Sequence, residues 1–405
     1  MLLSILVLSI LLIVFAYNPK KCFLLTIVLY PTLYLFSINN FNVLSVLALF
    51  FVFYVLRHRK KKRNFPFGLA SILCISSYLI SSFGRDEPPH MTILTSYLID
   101  YIFIYVFWSC FELTKNDQRF LCNVFVLYLA VNSILAMFEA ISGFNPFIQF
   151  LHMNGTVEVM QGSDYVRNGF HRAQGMAIYN DPFGLYLVIS LVVIINYYYK
   201  GFFNSTMKFF VLIGFVVFAI FLTGSRSVIA CMVIALLSAS SFVLRNKKMF
   251  FGLFFLIIFI CVFASSFLSS IIDGFINIDD TGGSSTSMRE LQWMTTLSVW
   301  KDAPIFGHGL GYIYNIIKAS IGLAGGESIV FYSLIDRGIW GLFTIVFLWL
   351  SVAVWLHKTS NIRYLFLLLA FAICKIITLA FGLNEAFVII YLLVIIKIPN
   401  LKYTK

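Results

Sequence analysis

Apolar runs long enough to cross a hydrocarbon core of roughly 30 Å recur from one end of this chain to the other, and nothing else constrains its fold as tightly. In lipid every backbone N–H and C=O must be paired within the protein, so spans this numerous have to be helices. The pattern predicts spans over about 2–16, 22–37, 41–56, 67–83, 92–111, 120–141, 183–199, 208–223, 227–244, 249–268, 330–356, 364–381 and 385–397. The fold class is therefore all-α: a polytopic integral membrane protein of 12–13 transmembrane helices, forming one domain over 1–405. With 11% charged residues, against about 25% in soluble domains, the chain leaves no room for a soluble module. The first run, MLLSILVLSILLIV, lacks the basic start and small-residue cleavage site of a signal peptide and is read as a helix.

The formal charge of +12 has a topological cause. The basic loop 57–66 carries Arg57, Arg59, Lys60, Lys61, Lys62 and Arg63, and loops of the same parity hold Lys20, Lys115, Lys200, Lys208, Arg245, Lys358 and Arg363. By the positive-inside rule these loops face the cytoplasm, and no nucleic-acid partner is needed to explain them. The seven cysteines fall in or beside apolar runs without metal-like spacing, so they read as small core residues. No Gly-rich phosphate loop, HExxH motif or His/Cys cluster is present, and neither a metal nor any other cofactor is expected.

The two long loops, 142–182 and 269–329, then face the other side and form the large outer regions, the larger one late in the chain. They hold Arg167, Arg172 and Arg289, and the short TGSRS hairpin adds Arg226 between two apolar runs. Arginine on an outer face suits an anionic partner, because its planar fork matches carboxylate or phosphate oxygens. Arg226 starts a helix, so its charge and the helix N-terminus reach the same point; snorkelling to lipid phosphates is the other reading. The late block from Ser287 to Gly341 concentrates Arg289, Trp293, Lys301, His308, Glu327, Asp336 and Arg337 among glycines. Trp293 suits a sugar face or the headgroup region. Asp336 and Arg337 form a surface pair or, with Gly338 and Gly341, order the exit of the loop. Asp100, Glu139 and Lys375, inside spans, are candidates for a buried pair or a polar cavity.

Three segments in order, RAQGMAIYNDPFG, TGSRS, and RELQW followed by APIFGHGLG and GGES…DRGIWGL, resemble the O-antigen polymerase (Wzy) and O-antigen ligase superfamily over about 165–345. The resemblance implies a glycosyltransferase of the bacterial inner membrane that joins undecaprenyl-pyrophosphate-linked oligosaccharides at the periplasmic face. Membrane lipid and a chain-length regulator protein are the implied partners. It carries substrate binding to Arg172, Arg226 and Arg289, with Arg167, Arg337 and Trp293 added to that set, and turn formation to Pro304, Gly307, Gly309 and Gly311. The ligases have a histidine near the end of this loop. Here the place reads GGESIVFYSL, with Glu327, which favours the polymerase branch over a ligase acting on lipid A-core.

A sugar on a lipid pyrophosphate is already activated, and its leaving group needs charge neutralisation, which arginines supply without a metal. The acceptor hydroxyl needs a base. Glu327, ionised at neutral pH, is the candidate, with His308 as its rival. A flippase for the same lipid-linked oligosaccharide is the competing class; it would use charges inside the spans rather than in the loops.

Overall fold

A computed structural model describes residues 2–38, 41–58, 65–83, 91–154, 166–167, 170–177, 179–240, 286–319, 328–378 and 385–398. The expected span 249–268 and residues 241–244 of the span 227–244 lie outside these residues, as does Glu327. The described chain is an all-α polytopic membrane protein. Its helices are α1 Leu2–Tyr17, α2 Pro19–Leu33, α3 Val43–His58, α4 Gly68–Ser82, α5 Met91–Cys110, α6 Lys115–Ser142, α7 Pro146–Met153, α8 Asn180–Tyr199, α9 Thr206–Leu222, α10 Arg226–Leu237, α11 Thr286–Trp300, α12 Tyr312–Ala319, α13 Ile329–Lys358, α14 Leu365–Ile377 and α15 Glu385–Ile396. Two antiparallel two-residue ribbons complete it: β1 Ser37–Ile38 with β2 Phe41–Asn42, and β3 Val166–Arg167 with β4 Phe170–His171.

By length and composition α6, α8 and α13 can each cross a membrane, and α1, α3, α4, α9, α10 and α15 are shorter apolar helices. α8 and α15 are apolar on every side and are buried along nearly their whole length, as expected of helices at the centre of a bundle. Tyr186 on α8 and Tyr391 on α15 donate to the α2 carbonyls of Val28 and Ile27, at 3.0 and 3.1 Å. The outer helices show one bare apolar stripe each. On α6 it is Leu127, Val131, Ile134, Phe138 and Ile141; on α13 it is Ile339, Phe343, Val346, Leu350 and Val354. Steps of three and four residues put each set on a single face, the face that lipid would wet. The described cysteines, Cys22, Cys74, Cys122, Cys231 and Cys374, are buried free thiols.

Side-chain bonds fix which helix ends lie together. A capping box of Thr114 with Asp117 starts α6, and Asp117 pairs with Lys20 at the start of α2. Tyr197, near the end of α8, donates to Gln118 at 2.5 Å, and Tyr364, between α13 and α14, donates to Asn196 at 2.6 Å. One end of the bundle therefore collects Lys20, Lys115, Arg119, Lys200, Lys208, Lys358 and Arg363. The end of α6, the start of α8, the α9–α10 turn and the start of α13 must be at the other. Residues far apart in sequence thus share a single end of the molecule.

The sequence differs from this architecture in three places. The span expected over 22–37 is a helix over Pro19–Leu33 followed by the β1–β2 ribbon. The loop 142–182 contains α7, whose start is capped by Asn145 accepting from Phe147 and Ile148. Within the late loop the described residues include α11 and α12, and α13 is broken at Gly338, where φ is 65° and ψ is −163°.

Candidate active site at the arginine-bearing end

The α9–α10 turn is the foundation of the site. Gly224 adopts φ +61°, and a Cβ there would meet Arg172 Cγ at 3.1 Å, so glycine serves both the turn and the close approach of the arginine. The carbonyl of Thr223 accepts from Arg172 Nε at 2.8 Å and from Asn180 Nδ2 at 3.2 Å. Arg172 then reaches Asp181 Oδ1 at 3.3 Å, and the next amide, Ala173 N–H, donates to Leu222 O at 2.9 Å. The RAQG segment is thereby laid along the turn that begins α10. Arg172 is 9% exposed.

Arg226 is the first residue of α10, just before the apolar run, and is half-buried. Ser225 occupies the N-cap without a side-chain cap bond; its hydroxyl meets Ser227 Oγ instead, at 3.1 Å. The helix N-terminus thus keeps its positive end for something other than its own cap residue. Burial first, and then the positive charge of Arg172, pull the Arg226 guanidinium below the ordinary arginine range. Two guanidiniums repelling each other at a helix N-terminus make a place where an anion is stabilised.

The second half of the site is a glycine lock on α13. The break at Gly338 takes two N–H and two C=O groups out of the helix ladder, and the APIFGHGLG turn satisfies them. Ile339 N–H donates to Pro304 O at 2.9 Å and Trp340 N–H to Ile305 O at 3.1 Å. In return His308 N–H donates to Ile335 O at 2.9 Å and Gly309 N–H to Asp336 O at 3.1 Å. The Asp336 carboxylate closes the turn, accepting from Gly311 N–H and Ile313 N–H, each at 2.9 Å. A Cβ on Gly338 would sit 2.4 Å from the Ile305 carbonyl carbon, and one on Gly307 would sit 2.4 Å from Arg337 N. Backbone lies directly on backbone.

This geometry corrects the reading of Asp336 and Arg337 as a surface pair: both are buried, Asp336 ordering the turn and Arg337 at 4% exposure. Arg337 donates to Ser333 Oγ at 2.8 Å and lies 4.2 Å over the ring of Tyr78 from α4. These contacts tie the guanidinium to α13 and α4. His308 is likewise held, at 5% exposure. Its Nε2 donates to Val299 O at 2.9 Å and its ring stacks on Tyr312 at 4.4 Å. That arrangement ties α11 to α12.

Arg289 on α11 is half-buried and donates to Gln292 Oε1 at 3.2 Å. Trp293, one turn on, is 42% exposed and meets Phe331 edge to face at 5.0 Å, so α11 rests on the start of α13. Arg167 is described only through its backbone in β3, paired with Phe170. The structure therefore joins Arg172 to Arg226 and places Arg289 and Trp293 at the same end of the bundle. Among the described residues no group of three or more His, Cys, Asp or Glu side chains gathers as a metal site would. Sequence reasoning missed Asp181, Asn180 and Asn145; their signal was the YNDPFG and GFNP stretches, where Asn and Asp precede a proline at a helix start.

No curated protein matches this chain. A family model does match, over 209–346, and its description is O-antigen ligase (Wzy_C). The matched block takes in Arg226, the α11 pair Arg289 and Trp293, and the entire glycine lock, while the RAQG loop precedes it. Over this block the chain is similar to the O-antigen ligase (Wzy_C) family.

Proposed function

We propose that the chain is an O-antigen polymerase of the bacterial inner membrane, joining undecaprenyl-pyrophosphate-linked oligosaccharide units with its arginine-bearing end in the periplasm. The observation that carries this reading is the seating of Arg172 on the α9–α10 turn, bonded to Thr223 O and against Gly224, two residues from Arg226 at the start of α10. The orientation follows from the opposite end, where the basic loop residues gather; by the positive-inside rule that end is cytoplasmic.

In the reaction the bond from the anomeric carbon to the pyrophosphate oxygen breaks, and its electron pair leaves on the lipid pyrophosphate. Arg172 and Arg226 bind that growing negative charge more strongly than the ground-state charge, which lowers the barrier. Arg289 serves the same anion from α11, and Trp293 offers an aromatic face to the sugar. The acceptor hydroxyl forms the new bond to the anomeric carbon and passes its proton to Glu327, as the base of an inverting glycosidase accepts one from water.

The ligase reading has one observation of its own, the description of the matched family. Glu327, in the place where the ligases have a histidine, favours polymerisation. Deleting the gene and resolving the surface polysaccharide on a gel separates the readings. Loss of a polymerase leaves core bearing a single repeat unit, whereas bare core with accumulated lipid-linked polymer would mean a ligase. Unpolymerised units retained on the cytoplasmic face would mean a flippase. For the base, Glu327→Gln is expected to abolish the polymer ladder at unchanged protein level; a normal ladder would remove Glu327 from the mechanism.

A further inference from the structure

The carboxylate of Glu139 has no part in the chemistry just described, yet it lies 4% exposed near the end of a membrane-crossing helix. An acidic group in that position is costly unless it is used. Its partners are all on the neighbouring loops. Glu139 Oε2 accepts from Gln174 N–H and Gly175 N–H, both at 3.0 Å, and from Asn145 Nδ2 at 2.9 Å. Asn145 also donates to Gly175 O at 2.9 Å while capping α7, so a single side chain couples α7, Glu139 and the RAQG loop.

Seven residues earlier, on the same face of α6, Asn132 Oδ1 accepts from Met176 N–H at 3.0 Å. Thr32 of α2 donates to Met176 O at 3.1 Å. Ala173 N–H is taken by Leu222 O at 2.9 Å and Ala177 N–H by Gln174 O at 3.1 Å. Every amide from Ala173 to Ala177 is thus accounted for, and the two central ones depend on Glu139. Buried backbone N–H groups are costly without an acceptor, so this stretch of the loop depends on that oxygen. Arg172 stands two residues before them, so the path of its backbone is set by the turn on one side and by Glu139 on the other.

We propose that Glu139 is a positioning residue: its carboxylate straps the RAQG loop so that Arg172 meets the pyrophosphate of the lipid-linked donor beside Arg226. This rests on the reading of Arg172 as a pyrophosphate ligand. The role is that of a fixed hydrogen-bond acceptor, so glutamine, which retains an oxygen in the same place, performs it, whereas alanine leaves two buried N–H groups without an acceptor.

The test uses the full chain in membranes with an undecaprenyl-pyrophosphate oligosaccharide as donor. Glu139→Ala is expected to lower kcat about 100-fold, as misplacement of a charge-stabilising group does, with a smaller change in the KM for donor. Glu139→Gln is expected to restore most of the rate. The double variant Glu139→Ala, Arg172→Ala is expected to be no slower than Arg172→Ala alone, because both act through one guanidinium. Losses that multiply in the double variant would overturn the proposal, as would a normal rate for Glu139→Ala. Hydrogen exchange of the peptide over 173–177 is the readout independent of activity. It is expected to speed up in Glu139→Ala and stay slow in Glu139→Gln, and unchanged exchange in the alanine variant would refute the strap itself. Absence of transfer by the native chain, with the exchange result intact, would instead sink the glycosyl-transfer reading and the pyrophosphate role of Arg172 with it. If the alanine variant fails to accumulate, Glu139→Asp decides, since it keeps the charge but withdraws the acceptor by one methylene. Its exchange and rate are expected to shift as for alanine, and native values in both would overturn the proposal.

Discussion

Replacing Gly338 with alanine is expected to be among the most damaging single changes in the chain, with the thermal midpoint of the detergent-purified protein falling and the polysaccharide ladder lost. At φ 65° and ψ −163° the residue occupies a region that is essentially glycine's alone, at a cost of about 1–3 kcal/mol for any side chain. The added Cβ would also meet the carbonyl carbon and oxygen of Ile305, each at 2.4 Å. Neither atom can swing aside as a flexible side chain would, so the turn has to lift off α13. Lifting it strands the N–H groups of Ile339 and Trp340 and loosens the Asp336 bonds to Gly311 and Ile313. Each buried group left without a partner adds about 1–3 kcal/mol. Ile339→Ala, on the lipid-facing stripe one residue away, is the control and is expected to change little. A native midpoint for Gly338→Ala would mean that the backbone contact between the two segments is absent.

Arg226→Ala is expected to reduce glycosyl transfer about 100-fold, the scale on which a single group facing a developing anion acts, with the thermal midpoint held. Arg226 is half-buried at the start of α10, and the RAQG loop hangs on Arg172 instead. Arg172→Ala is therefore expected to lose both activity and stability, because it also removes the donor to Thr223 O and the partner of Asp181. The contrast between the two variants separates binding charge from scaffold. Equal destabilisation by both, or full activity in Arg226→Ala, would show that the two arginines do not share an anion.

Most of the architecture is legible in the sequence because a bilayer leaves the backbone no alternative: an apolar run of sufficient length has to pair its own amides, and so it is a helix. The alternation of basic loops is equally legible, and the structure gathers those residues at one end through Lys20 with Asp117 and Tyr364 with Asn196. Arg172 and Arg226 were identified as residue types out of place on an outer face, and the structure brings them together. Arg337 and His308 looked the same in sequence and turned out to be fastened into the fold. Nothing local distinguishes a guanidinium that lies on the α9–α10 turn from one that lies on Tyr78, since the tyrosine is on α4, far away in the chain.

Glu139 makes the same point from the opposite direction. Its position in a span suggested a buried pair or a polar cavity, but its partners are the amides of Gln174 and Gly175. By itself the sequence determined the helices, their number to within a few, the end that collects the basic loops, and the family motifs, because these follow from composition and period along the chain. Only the tertiary structure decided which polar side chains are fastened to which distant segment. That pairing depends on hydrogen bonds between segments remote in sequence, and a buried donor or acceptor is satisfied by whichever group the packing brings to it.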